Sequence, residues 1–318
     1  MASHIRIVVG FDGSADSWAA ARFAVAEAAS GHGVIRVVHS LLDRVAYAAL
    51  LPPDLTADAP AEAHRLLDAA RAELVRAAPG VDVQTVLAQR APGAALVRAS
   101  RSADVVVLGR HGHGRPPAGG GFRRINVGAV ATHVLKYASG PVVVTGSETA
   151  TGAGTGPAVD LQAGDDVGPV VLGLDTSAPS AAAIAYAFKA ALRRGTSLRI
   201  CCVRPYSGEP SDDAEARLAL SHAIAGWRTV FADVPVALDV LQGIDPTTRL
   251  LDAAAGAALL VAGAQDRARL PRTAAVPDTL VRNAVCPVAV VRSSHETGTW
   301  SPLGGTSSTG IDVLAAEG

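Results

Sequence analysis

Two stretches of this 318-residue chain hold residues whose type and spacing could do chemistry. The first is Phe11-Asp12-Gly13-Ser14, directly after an apolar run that begins at Ile5. The second is glycine-rich. It carries Gly109, Gly112 and Gly114, the histidines His111 and His113 and the arginines Arg115, Arg123 and Arg124, and it ends in Gly128-Ala129. Glycines let a backbone approach a phosphate closely and turn its N–H groups inward. A helix that opens at the end of such a loop adds backbone donors and a partial positive charge. Arginines add charge-assisted hydrogen bonds to phosphate oxygens. The pattern points to an anion site, with Arg115, Arg123 and Arg124 as candidate phosphate contacts. The plain alternative is a surface loop that binds nothing, because glycine-rich segments are common.

Other chemistries find less support. No Gly-Lys-Ser/Thr follows the glycines, so the loop is not a P-loop. His111 and His113 lack the cysteines or carboxylates that would complete a zinc site, and no metal ligand set is expected. Phe11-Asp12-Gly13-Ser14 and the later Leu174-Asp175-Thr176-Ser177 are not nucleophile elbows, because each serine follows an aspartate at a helix start and is expected to cap it. No catalytic residue emerges. Cys201, Cys202 and Cys286 are too few for a disulfide framework and read as small buried hydrophobes. The net charge of -1 carries no basic excess that would suit nucleic acid. No apolar run approaches the roughly 18 residues of a membrane span, so a cytoplasmic protein without a membrane partner is expected.

The elements that must position Asp12 and the glycine loop follow from periodicity. Residues 5–10 are β-branched and read as a strand, and Trp18, Ala21, Arg22, Val25 and Ala28 recur at helical spacing after it. A strand over 34–40, a helix over 61–78, a strand over 81–88, a short helix opening at Pro92 and a buried strand ending at Gly109 come next. A helix over about 126–138 and a strand over 141–145 complete the unit. Strands alternating with helices imply a parallel α/β sheet covered on both faces. Five strands suit a flavodoxin-like order 3-2-1-4-5. Ligands of such sheets sit beyond the carboxyl ends of the strands where the order reverses, here between the first strand, before Asp12, and the fourth, at Gly109.

The same grammar then repeats. "VVGFDGSADSWAAARFA" is echoed by "VLGLDTSAPSAAAIAYA", "APGAALVRASRSADVVVLG" by "DPTTRLLDAAAGAALLVAG", and "SGPVVVT" by "VCPVAVV". The expected organisation is a first domain over 1–146, a linker over 147–168, a second domain over 169–292 and a disordered tail over 293–318.

These motifs together resemble the universal stress proteins, in a tandem-domain form with the Ala- and Arg-rich composition of actinobacterial members. The likeness covers about 5–145 and 169–292. It implies two flavodoxin-like (adenine nucleotide alpha hydrolase-like) domains and a non-catalytic role in stress response, with weak ATP hydrolysis left open. It also implies ATP, with or without Mg2+, as cofactor. By position, Asp12 would meet the adenosine and the backbone at Ser40 the adenine, while Gly109, Gly112 and Gly128 would cradle the phosphates. Ala129 stands where the family has Ser or Thr. Fifteen residues, 113–127, separate Gly112 from Gly128 where the family has nine, so about six are inserted around "RPPAGG". In the second copy Asp266 replaces the second glycine, and Ala274 and Ala275 replace the terminal Gly-Ser, so that copy is expected to be structural. The resemblance further implies pairing of the two domains through their last strands, with a homodimer and a protein partner left open. A competing reading is a stress-linked interaction protein that binds no nucleotide.

Overall fold

A computed structural model of the chain describes residues 4–29, 33–41, 58–112, 127–146, 168–205, 210–264 and 275–292. The first half runs β1 (Arg6–Gly10), α1 (Ala15–Ala29), β2 (Val34–Ser40), α2 (Ala59–Ala77), β3 (Asp82–Ala88), α3 (Pro92–Ser100), β4 (Val105–Gly109), α4 (Ala129–Tyr137) and β5 (Val142–Thr145). The second runs β6 (Val170–Gly173), α5 (Ala181–Arg194), β7 (Leu198–Arg204), α6 (Pro210–Val230), β8 (Val236–Gln242), α7 (Pro246–Ala253), β9 (Leu259–Ala264), α8 (Ala275–Asn283) and β10 (Val288–Arg292). Each half is parallel throughout, in the expected order 3-2-1-4-5.

The halves join edge to edge. β5 and β10 pair antiparallel, Val144 with Val288, Val143 with Ala289 and Val142 with Val290. One ten-stranded sheet results, ordered β3-β2-β1-β4-β5-β10-β9-β6-β7-β8. Strand side chains alternate between its faces. Ile7, Val9, Val107, Val143, Leu172 and Ile200 pack under α1, α2, α5 and α6, while Val8, Val106, Val144, Leu260 and Val288 pack under α3, α4, α7 and α8. Both cores therefore run through both halves. Aromatics are scarce, so the strands are filled with valine, whose branched side chain suits a pleated surface buried on both sides.

Two local readings change. Ser14 caps α1, its Oγ accepting from the Ser17 N–H at 3.2 Å. Its counterpart Ser177 does not cap α5, because Pro179 disfavours helical backbone at Ala178. Ser180 caps instead, accepting from the Ala183 N–H at 3.3 Å. The helix expected from about 126 begins at Ala129, with Gly128 as the preceding residue. The expected linker and the expected tail fall on residues outside those described, apart from Gly168.

Candidate functional site

β1 and β4 are direct neighbours, Ile7 beside Val105 and Val9 beside Val107, so the segments that leave their carboxyl ends emerge side by side. Asp12 follows β1 in a tight turn. Its Oδ1 accepts from the Ser14 N–H at 2.9 Å, and Gly13 between them takes φ 85°, a left-handed conformation that favours glycine. The other oxygen faces the loop after β4. A Cβ added to Gly112 would stand 2.5 Å from Asp12 Oδ2.

The short segment from Arg110 to Gly112 is held from several sides. Ser14 Oγ donates to the His111 carbonyl at 3.4 Å. Asp16, a buried carboxylate in the first turn of α1, accepts from the His111 backbone N–H at 2.9 Å and from its ring Nδ1 at 3.0 Å. Arg110 donates its backbone N–H to Thr145 at 2.6 Å and accepts from the Gly128 N–H at 2.9 Å. The Arg110 guanidinium, 4% exposed as a residue, crosses to the other half and donates to the Ala284 carbonyl at 2.6 Å. In the opposite direction Arg292 Nη1 donates to the Lys136 carbonyl at 2.5 Å. Each arginine thus meets carbonyls at the end of a helix in the other half, where the helix dipole is negative.

The candidate residues take different parts in this arrangement. Asp12, Ser40, Gly109, Gly112, Gly128 and Ala129 all lie at one edge of the first half. Gly109 serves packing, because a Cβ there would come within 2.7 Å of the Asp16 carbonyl carbon and 2.9 Å of the Ser17 nitrogen. Gly128 spends its N–H on Arg110, and no side-chain bond caps α4, which Ala129 opens. Ser40 ends β2 and donates its Oγ to the Arg90 carbonyl. His39 beside it places Nδ1 2.8 Å from the Phe11 carbonyl, tying β2 to the residue before Asp12. Arg115, Arg123, Arg124 and His113 lie outside the described residues.

Sequence reasoning missed Asp16 and Arg110. An acidic residue in the first turn of a helix reads as a partner of the helix dipole. Nothing in local spacing says that this one reaches a residue 95 positions away, or that Arg110 reaches one 174 away.

The second half repeats the turn but not the clasp. Asp175 Oδ1 accepts from the Ser177 N–H at 2.9 Å and from its Oγ at 2.7 Å. Pro179 occupies the place of Asp16, and Ala264 that of Arg110. Asp266 and Ala274 lie outside the described residues. A cavity of about 330 Å³ lies beyond β6 and β9, floored by Leu174, Cys201, Leu250 and Val290. Leu135 and Lys136 of α4 wall it from the first half. Burial pushes the Cys201 thiol up to about 11, so this floor is uncharged near neutral pH. Among the described residues no group of three or more His, Cys, Asp or Glu side chains is placed to hold a metal ion, and no helix is long and apolar enough to cross a membrane.

Known proteins share this architecture. A model of the universal stress protein family matches residues 5–146 and 167–292. A universal stress protein of Mycolicibacterium smegmatis is 31% identical over 309 residues, which cover 92% of this chain and 98% of that one. One from Mycobacterium tuberculosis is 31% identical over 305 residues, covering 91% and 97%. The crystal structure of a universal stress protein from Archaeoglobus fulgidus superposes with a TM-score of 0.65 at 17% identity, covering 90% of this chain and 98% of that one. At that identity the likeness is one of fold.

Proposed function

The chain belongs to the universal stress protein family, and from that premise we propose a non-catalytic stress-response protein whose first half holds one adenine nucleotide. The observation that carries this reading is the meeting of Asp12 with Gly112. The place a Cβ would take at Gly112 is filled by the Asp12 carboxylate, so the bare backbone of the β4 loop meets that carboxylate directly at the switch point of the sheet, where α/β proteins of this kind take ligands. ATP, with or without Mg2+, would supply a ribose for Asp12, a base for the backbone at Ser40 and phosphates for the donors of Gly112 and the first turn of α4. Because Gly109 packs against α1 and Gly128 bonds Arg110, the cradle rests chiefly on Gly112 and on the N–H groups that open at Ala129. Arg115, Arg123 and Arg124 remain candidate phosphate contacts. The proposed domains are 1–146 and 169–292, separated by a linker over 147–168 and followed by a tail over 293–318.

A second reading rests on the cavity in the second half, which would then take the nucleotide instead. Titration of fluorescent ATP into the full chain and into Ala178→Trp separates the two. Ala178 is exposed and lines the second cavity, so the tryptophan fills that space without entering the core. Unchanged binding supports the first half, and lost binding supports the second. No saturable binding by the parent chain defeats both and leaves an interaction protein that binds no nucleotide.

A further inference from the structure

One charged cluster between the halves has no part in either crevice. Glu27, on α1 of the first half, has a fully buried side chain. It meets two arginines from the last turn of α5 in the second half. Arg193 donates from Nε to Glu27 Oε2 at 2.9 Å, with its Nη2 2.8 Å from the same oxygen. Arg194 Nη2 stands 2.5 Å from Glu27 Oε1 as an ion contact, and its guanidinium carbon lies 4.8 Å from the ring centre of Phe23 on α1. Tyr186 of α5 is buried beside them. Burial first, and the Glu27 charge second, push its hydroxyl pKa well above the ordinary tyrosine value.

The two halves are copies, and the cluster is one of the places where they differ. Strand register sets the correspondence, since Ile7 pairs with Ile35 as Val170 pairs with Leu198. On that alignment Phe23 corresponds to Tyr186, and Glu27 to Ala190. Arg193 and Arg194 correspond to Ser30 and Gly31. The first copy therefore brings an acid without the arginines, and the second brings the arginines without the acid.

The other contacts described above between the halves carry less discrimination. β5 and β10 offer Val142–Val144 and Val288–Val290, apolar on apolar with sequence-blind backbone bonds. Arg110 and Arg292 each belong to one half, standing where the other copy has Ala264 and Gly146, but each donates to a backbone carbonyl, an acceptor that the helix end of either copy presents. A first half meeting the first half of another chain would keep its strand pairing but bury two copies of Glu27 without the arginines that α5 supplies. A second half meeting a second half would bury four arginines against Ala190. An uncompensated buried charge is strongly disfavoured, and a buried ionic group is best attested as a device that fixes register and partner choice.

We propose that Glu27 with Arg193 and Arg194 is a recognition code that pairs the first half with the second and rejects a half of its own kind. The surface formed by α1 and β5 thereby has one fitting partner, the arginine-bearing copy, whether that copy lies in the same chain or in another.

Two full-length chains test this. One carries Glu27→Arg, the other Arg193→Glu with Arg194→Glu. Each alone opposes like charges at its own interface. Mixed, each supplies the half that the other needs. Co-refolding the two at equal concentration with different tags should give a one-to-one mixed dimer by native mass spectrometry, at least tenfold above the level that either forms with the parent chain. A mixed dimer no more abundant than with the parent overturns the proposal. A gentler variant guards against simple misfolding. Glu27→Gln keeps the size and removes the charge, so it relieves the penalty on like-with-like pairing. It should refold to a dimeric fraction at least tenfold above that of the parent at the same concentration, and an unchanged fraction likewise overturns the proposal.

Discussion

A Cβ at Gly112 would lie 2.5 Å from Asp12 Oδ2, closer than carbon and oxygen tolerate without bonding. Those two positions bring together the turn after β1 and the loop after β4. A side chain at residue 112 must push Asp12 aside or occupy the space in front of it. Gly112→Asp does both and adds a like charge. It should weaken ATP binding at least tenfold, about 1.4 kcal/mol or more, by isothermal titration calorimetry. Replacing Asp266 in the second copy should leave affinity unchanged. The opposite pattern assigns the nucleotide to the second half.

Ala129 opens α4 without a side-chain donor. Ala129→Ser supplies one where the family has a hydroxyl. One added hydrogen bond is worth about 1 kcal/mol, so ATP should bind several-fold more tightly. AMP should gain much less, because the hydroxyl faces the outer phosphates in the family arrangement. Parallel titrations of both nucleotides check this, and equal gains for the two contradict it.

Asp16 holds His111 by two hydrogen bonds. Asp16→Ala removes both and leaves the His111 donors to find water. The chain should lose about 1–3 kcal/mol of stability in a urea titration. Its nucleotide affinity should fall as well, because the segment that carries Gly112 is no longer clasped. Full affinity in a destabilised variant would mean that the clasp is structural only.

Burial pushes the thiols of Cys201 and Cys286 from 9.0 to about 11. Only the thiolate reacts with alkylating reagents, so at pH 8 both should react on the order of a hundredfold more slowly than free cysteine. The same shift sets an alkaline limit. The neutral thiol is favoured in the folded state, so this contribution is whole below pH 9 and is lost as pH rises through about 11. Each thiol should account for roughly 3 kcal/mol of that loss. Cys201→Ala with Cys286→Ala should flatten the decline in stability between pH 9 and 11, and an unchanged decline would place its cause elsewhere.

The fold was legible because its signals are local. Val105–Gly109 reads as a strand buried on both faces because it is apolar without interruption, and Pro92 opens a helix because its missing N–H costs nothing there. Repetition of the same grammar from Val170 onward reinforced each element. The meeting of Asp12 with Gly112 was legible for similar reasons, since each follows one of two strands expected to be neighbours in the sheet. The remainder depends on distance. Gly109 stood out as a glycine, yet its role is to admit the backbone of α1. Asp16 and Arg110 act on residues far along the chain. The one-residue difference between Asp16 and Pro179 removes a clasp and moves a helix cap from Ser177 to Ser180. Asp266 speaks to phosphate and says nothing of volume, so the cavity beside Cys201 could not be inferred from it.

The antiparallel junction of β5 with β10 gives the molecule two poles. Every strand of the first half points its carboxyl end one way, and every strand of the second half points the other way. The two crevices therefore open at opposite ends of the sheet. What does connect the poles is α4. It begins beside the Gly128–Arg110 bond at the first crevice, and its last turn, with Leu135 and Lys136, is a wall of the second. Nine residues of helix make a rod of roughly 13 Å. The same short helix thus presents its first residue to one pole and its last turn to the other, so a substitution along it touches the walls of both crevices.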